Sequence, residues 1–277
     1  MNRISSRTQI ALFFLAFSLL GCSAQRAIEA AIENAWSTRE RLPHAHRIDE
    51  TLTTEDAYRI QTRIVKRSLQ GASPIGFKAG LTSAAAQARF NTHEPIAGVL
   101  LRSPTQTPQV LELVALRGLH IETEVAMRVS APIRRRLDSI AALREHIDAV
   151  GPAIELPNLD YESPEAVTAL DIVATNAAAT YFIVGELEST KERDPNAVAA
   201  TLMCDGNELS KGSGRDALGD QWAAALWLVN TMIGSGWTIE PGQLLLTGAM
   251  GRMVPANSGT CVADFGEWGR IELPAIQ

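Results

Sequence analysis

The stretch His120-Ile121-Glu122-Thr123-Glu124-Val125-Ala126-Met127-Arg128-Val129 alternates in part between polar and apolar residues and predicts a β-strand. Glu122 and Glu124 stand two residues apart. On a strand both carboxylates leave the same face, about 7 Å apart along the backbone. Like charges so placed repel unless a cation or a proton neutralises them. Hard divalent ions accept such carboxylates, and magnesium keeps positions for water or substrate oxygens. Glu155 sits in a second apolar stretch, Val150–Leu156, and a carboxylate buried between Ile154 and Leu156 also needs a partner. By spacing alone, a solvated strand face with all three glutamates paired to arginine fits slightly better than a metal site.

Outward from this pair, the pattern is mixed. Residues 26–42 predict a helix that Pro43 ends. A second helix starts near Thr53, where Thr53 and Asp56 form a capping-box pattern ahead of Ala57, Ile60, Ile64 and Val65. Ile75–Ala79 predicts a short strand and Thr82–Arg89 a short helix. Helices are further predicted over Ile133–Ile147, over at least part of Pro164–Ala179, and over residues 221–234. Asp205-Gly206-Asn207 predicts the turn of a hairpin between Thr201–Cys204 and Glu208–Leu209, with Gly212 and Gly214 in a following loop. Strands are expected over Gln243–Thr247, Thr260–Phe265 and Arg270–Leu273. No repeat or linker interrupts the chain, so one α+β domain with a helical N-terminal portion is expected.

The chain has 277 residues, 46% of them hydrophobic, enough for a real core. Its formal net charge is −6. With no basic stripe evident, nucleic acid is excluded as the expected partner. Arg3 and Arg7 precede the apolar run Ile10–Leu20, too short to span a bilayer, and the run ends in Leu19-Leu20-Gly21-Cys22. This resembles a bacterial lipobox. It implies a signal over residues 1–21, lipid on Cys22 and, with Ser23 following, anchoring of a soluble body to the outer membrane on its periplasmic side. A plain signal peptide with a chance cysteine is the alternative. Beyond Cys22 only Cys204 and Cys261 remain, with no zinc spacing. An oxidising compartment would permit a bridge. The general tendency of cysteine to be buried favours two separate thiols.

Several segments together resemble the 2-keto-4-pentenoate hydratase branch of the fumarylacetoacetate hydrolase superfamily. They are Gly76-Phe77-Lys78-Ala79-Gly80-Leu81-Thr82-Ser83, the Ile121–Val125 strand, Ala153-Ile154-Glu155, Asp171–Gly185 with Asn176 inside, Gly206–Leu218, Leu245–Gly248 and Ala263–Gly266. Their order holds from about Thr51 to Leu273. The resemblance implies a mixed β-rich fold: a curled sheet around a metal pocket, with helices outside. It divides the chain into residues 1–21, a helical segment over 22–50 and a metal-binding domain over 51–277. It implies Glu122, Glu124 and Glu155 as ligands of Mg2+ or Mn2+ and Lys78 as the active-site lysine. Leu81, Thr82, Ser83, Thr247 and Gly248 would line the substrate pocket. A helix cap is the plain alternative for Thr82 and Ser83, and the end of a core strand for Thr247 and Gly248.

The function implied by the resemblance is that of a hydro-lyase acting on a small unsaturated 2-oxo or 2-hydroxydienoic acid, assembled as a homo-oligomer. Relatives that decarboxylate such acids or cleave a carbon–carbon bond need the same enolate stabilisation. The chain departs from the family after Gly98. There Val99-Leu100-Leu101-Arg102-Ser103 replaces a segment that carries paired acids in hydratases. That departure leaves open a non-catalytic periplasmic binder of small acids or a structural lipoprotein. His120, two residues before the first metal glutamate, fits a proton carrier or a hydrogen-bonded structural histidine equally well. His44 and His46, in the loop Pro43–Ile48, match nothing in the family and are expected at the surface or an interface.

Overall fold

The computed structural model describes residues 23–102 and 107–277. Cys22, the expected lipidation position, lies outside them. A helix over residues 23–38 (α1) buries Ile28, Ile32 and Ala35 on one stripe. It stops at Arg39, whose φ is 58°, before Pro43 is reached. A single turn, α2 (Ala45–Ile48), precedes α3 (Thr54–Leu69). In α3, Thr53 and Asp56 complete the expected capping box. Arg63 and Arg67 of α3 reach Glu29 and Glu33 of α1 at 2.7–2.8 Å, which fixes the two helices side by side.

The rest of the chain is built on strands. In order come β1 (Gly76–Gly80), α4 (Ala84–Arg89), β2 (Ile96–Leu100), β3 (Val110–Leu111), β4 (His120–Val129), α5 (Ile140–Arg144), β5 (Ile147–Leu156), α6 (Ala169–Ala174), β6 (Tyr181–Val184) and β7 (Glu188–Ser189). Then come β8 (Ala199–Cys204), β9 (Asn207–Ser213), α7 (Gln221–Gly234), β10 (Leu244–Leu246), β11 (Met250–Pro255), β12 (Cys261–Asp264), β13 (Arg270–Glu272) and β14 (Ala275–Ile276). The main, curled sheet runs β2-β1-β10-β4-β5-β6, with β11 extending the β10 side of β4 and β7 pairing with β5. A second sheet has the order β13-β12-β8-β9. Helices cover one side of the main sheet, and one large apolar core joins them to it. On the opposite face a smaller cluster gathers Leu100, Ala126, Ala153, Phe182, Leu244 and Leu246.

Three expectations are corrected. The segment Ile133–Ile147 is helical only from Ile140 to Arg144. Ile133 exchanges two backbone hydrogen bonds with Ile239, and the Leu137 backbone is taken by the Asn230 side chain of α7, so these residues are held out of a helix. Ser139 then starts the short helix by capping Ala142 N. The segment Pro164–Ala179 is helical in part, as expected: α6 ends at Ala174, and Asn176, Ala177 and Ala178 all take left-handed backbone conformations. Gly212 belongs to β9, not to a loop. Finally, Cys204 and Cys261 are not separate thiols. They are register partners on β8 and β12 and form a disulfide.

Candidate metal and substrate site

Strand pairing brings the glutamates together. β4 and β5 run antiparallel with Glu122 opposite Glu155, so all three carboxylates rise from the same face, Glu124 one step along. Lys78 on β1 pairs with Leu246, which in turn pairs with Ala126, placing the lysine on this face too. One carboxylate oxygen from each glutamate lies within 4.8 Å of the others. Glu124 and Glu155 are fully buried, and Glu122 is partly open to solvent. Lys78 Nζ contacts Glu155 Oε2 at 2.7 Å and donates to Ala177 O at 3.2 Å.

The electrostatics arise from burial. Removal from water, then repulsion from Glu155, pushes the Glu122 carboxyl up to about 7; the ammonium of Lys78 offsets part of this. Glu124 is raised well above its ordinary value for the same reasons, with Glu122 adding repulsion. For Lys78, burial acts to lower its pKa, but Glu155 and the other two glutamates outweigh it and the net shift is upward. One ammonium cannot neutralise three carboxylates. Glu124 Oε1 and Glu155 Oε1 are buried without a hydrogen-bond partner. Such orphaned oxygens, on one face and all hard donors, fit a divalent cation of the magnesium or manganese kind.

The surroundings hold the carboxylates in place. Between β10 and β11 the chain leaves β4 at Thr247 and Gly248. Gly248 N donates to Glu124 Oε2 at 2.9 Å, and Thr247 N and Oγ1 both donate to Val125 O. Gly248 has φ +108°, and a Cβ there would lie 2.4 Å from Thr82 Cγ2. Thr82 is thereby set against the Glu124 edge of the site. Ser83 caps α4 by accepting from Ala86 N, and Leu81 bends the chain with φ 52°. His120 lies on the same face of β4 as Glu122. Its Nδ1–H donates to Gly118 O at 2.8 Å, which leaves the lone pair on Nε2, and burial lowers its pKa.

One element of the site was not read from sequence. The left-handed turn Asn176–Ala178 supplies the carbonyl that receives Lys78. Asn176 fixes that turn by mimicking a strand: its Oδ1 accepts from Val99 N and its Nδ2 donates to Val99 O, at 2.8 and 2.9 Å. Gly98 makes room, since a Cβ there would meet Ala177 Cβ at 2.7 Å. Arg102 does not join the carboxylates. Its guanidinium lies 5.1 Å over the Tyr181 ring, and Tyr181 pairs with Leu156, on the sheet face opposite Glu155. It borders a cavity of about 390 Å³ lined also by Trp36, Arg39, Asn158 and Asn176, which does not include the glutamates.

Comparison with known proteins agrees with this geometry. The model of the fumarylacetoacetate (FAA) hydrolase C-terminal family matches residues 71–274. The 2-keto-4-pentenoate hydratase 2 of Dechloromonas aromatica is 31% identical over 211 residues, 74% of this chain and 79% of that protein. The 4-oxalocrotonate decarboxylase of Pseudomonas sp. strain CF600 is 27% identical over 237 residues, 84% of this chain and 89% of that one. Among solved structures, 4-oxalocrotonate decarboxylase from Pseudomonas putida G7, complexed with magnesium and adipate, superimposes with a TM-score of 0.82 at 25% identity, covering all of both chains.

Proposed function

The chain belongs to the fumarylacetoacetate hydrolase C-terminal family, close to its 2-keto-4-pentenoate hydratases, and from that premise we propose that it is a magnesium-dependent hydratase of a small 2-hydroxydienoic acid. It is an enzyme of the hydratase and lyase type that processes small 2-oxo or 2-hydroxydienoic acids with a divalent metal. The observation that carries this reading is the convergence of Glu122, Glu124, Glu155 and Lys78 on one sheet face, with buried carboxylate oxygens left unpaired.

Glu122, Glu124 and Glu155 would hold magnesium, which would supply a Lewis acid for a 2-oxo acid, and Gly248 N–H orients Glu124. Lys78, held charged by its glutamate neighbours, keeps a fixed positive charge beside the place where the substrate's enolate charge develops. His120, neutral and with its Nε2 lone pair free of the Gly118 bond, takes or returns the proton in the dienol-to-ketone shift that precedes water addition. Gly248 and Thr82 would border the substrate beside Glu124, while Ser83, capping α4, and Thr247, bonded to Val125 O, would position them together with the bend at Leu81.

Decarboxylation of a related acid is the second reading, favoured by full-length superposition on the decarboxylase structure. Product analysis separates the two. Incubation with magnesium and 2-hydroxypenta-2,4-dienoate should yield 4-hydroxy-2-oxopentanoate by proton NMR. Release of carbon dioxide from 4-oxalocrotonate, with no hydration of the dienoate, would replace the hydratase by the decarboxylase.

The proposal extends to location. Processing at Cys22 and lipid attachment would place residues 23–277 in the periplasm as a homo-oligomer on the outer membrane. The lipobox-like Leu19–Cys22 supports this, and so does the Cys204–Cys261 bridge, a bond that persists in oxidising compartments. Among the described residues no helix is long and apolar enough to cross a membrane. Cys22→Ser should release the protein from the lipid fraction; continued fractionation with lipid would exclude that residue as the anchor.

A further inference from the structure

His44, His46 and Asp171 form a second cluster that the hydratase chemistry does not use. The histidines, expected at a surface, converge from the start of α2 on the carboxylate of Asp171 in α6. Their donor atoms all lie within 4.8 Å of one another. His46 Nδ1 stands 2.9 and 2.7 Å from Asp171 Oδ1 and Oδ2, and His44 Nδ1 stands 3.5 Å from Oδ2. The Asp171 side chain is fully buried and that of His44 is 1% exposed, while His46 keeps 29%. His44 Nδ1 is buried, faces the carboxylate and has no hydrogen-bond partner. A buried ring nitrogen left in that state costs stability unless something fills the gap.

We propose that His44, His46 and Asp171 bind a zinc-class transition-metal cation, separate from the magnesium site. Two imidazole nitrogens and one carboxylate are the ligands of a borderline-soft ion; magnesium would demand more oxygen donors. Tetrahedral bonds of about 2.0–2.1 Å place ligand atoms roughly 3.3 Å apart. The 2.9 Å from His46 Nδ1 to Asp171 Oδ1 is near that spacing, and His44 Nδ1, which lies 3.5 Å from the other oxygen, Oδ2, has to shift towards Oδ1 to join it. Asp171 is already oriented: Oδ2 accepts from Thr168 N and Oγ1, both at 2.9 Å, and Oδ1 from His46 N at 3.0 Å. These bonds leave Oδ1 a lone pair for the cation once the His46 ring nitrogen gives up its proton. The part-exposed His46 edge admits water as the fourth ligand.

Loading has an identifiable cost. Ser163 N donates to His44 Nε2 at 3.3 Å, which places the ring proton on Nδ1. Coordination through Nδ1 moves that proton to Nε2, so the Ser163 contact is given up. The metal would tie the N-terminal segment to α6, whose end leads into the Asn176–Ala178 turn beside Lys78. The site is thus a clamp behind the catalytic face.

The test counts zinc on the full chain after chelator treatment. Glu124→Ala removes a ligand of the magnesium site, and this variant should still bind one equivalent of Zn2+ and melt at a higher temperature with it. Adding His46→Gln should abolish both effects. Co2+ in Glu124→Ala should show the strong visible absorption of a four-coordinate site. If Glu124→Ala does not fold, the wild type in a large excess of Mg2+ serves: one Zn2+ equivalent that magnesium does not displace, absent from His46→Gln. No retained equivalent, or an equivalent unaffected by His46→Gln, overturns the proposal.

Discussion

Lys78 Nζ lies 2.7 Å from Glu155 Oε2, and both side chains are sealed from solvent. The lysine ammonium offsets the mutual repulsion at both Glu122 and Glu124. Its removal leaves three carboxylates facing one another. Breaking one half of a buried ion pair costs about 3–5 kcal/mol. Lys78→Met should therefore lower the melting temperature of the metal-free protein, with Mg2+ restoring part of the loss. Its kcat should fall by about 10²–10⁴-fold, the range for loss of a positioned proton-transfer or charge-stabilising group. Wild-type kcat in a folded Lys78→Met protein would remove the lysine from the chemistry.

Protonation of the glutamates competes with the metal. The Glu122 carboxyl is raised to about 7 and Glu124 well above its ordinary value, both chiefly by burial. A folded-state pKa above the unfolded one favours folding fully below the unfolded value, and that contribution is lost as pH rises through the folded one. Metal-free protein should thus lose thermal stability between about pH 5 and 8 from these groups. Excess Mg2+ should reduce or reverse the loss, and Mg2+ affinity should weaken as pH falls below about 7. Melting curves with and without Mg2+ across this range check both signs; a metal-free protein that gains stability towards pH 8 would contradict the assignment.

Much of this site was legible before the structure. The two-residue spacing of Glu122 and Glu124 is a strand property, and the capping box at Thr53 and Asp56 is local chemistry, so both were readable from short windows. The position of Glu155 opposite Glu122 was not, because register is a pairing between distant segments. Spacing alone leaned towards a solvated face, and only the order of family motifs pointed inward. The turn at Asn176–Ala178 was hidden for another reason. Three consecutive left-handed residues, two of them alanine, run against local preference and are held by the Asn176 bonds to Val99. Ile133–Asp138 misled in the same way: its apolar stripe is helical in period, but Ile239 and Asn230 claim its backbone.

Gly98 tests that turn. Alanine there must displace Ala177 and the Asn176 carbonyl, at a cost of about 1–3 kcal/mol for overpacking. Because Ala177 O receives Lys78, Gly98→Ala should lower kcat while changing Mg2+ affinity by less than threefold. Equal losses in both would place the turn's role in metal binding instead.

The bridge between Cys204 and Cys261 closes a separation of 57 residues across β8 and β12. Loop-closure entropy assigns such a crosslink about 2–4 kcal/mol. Reduction, or replacement of both cysteines by alanine, should lower the melting temperature without altering Mg2+ stoichiometry. An unchanged melting temperature would mean that the second sheet is held by its ladder alone.

The most direct measurement tracks the ultraviolet absorbance of 2-hydroxypenta-2,4-dienoate with the purified protein, with magnesium and then with excess chelator. The account predicts decay of the dienol absorbance with 4-hydroxy-2-oxopentanoate as product, loss of the reaction on chelation, its return with added Mg2+, and no reaction from Glu124→Ala. Turnover that persists through chelation, or that survives in Glu124→Ala, would contradict a metal-dependent reaction at the Glu122, Glu124 and Glu155 site.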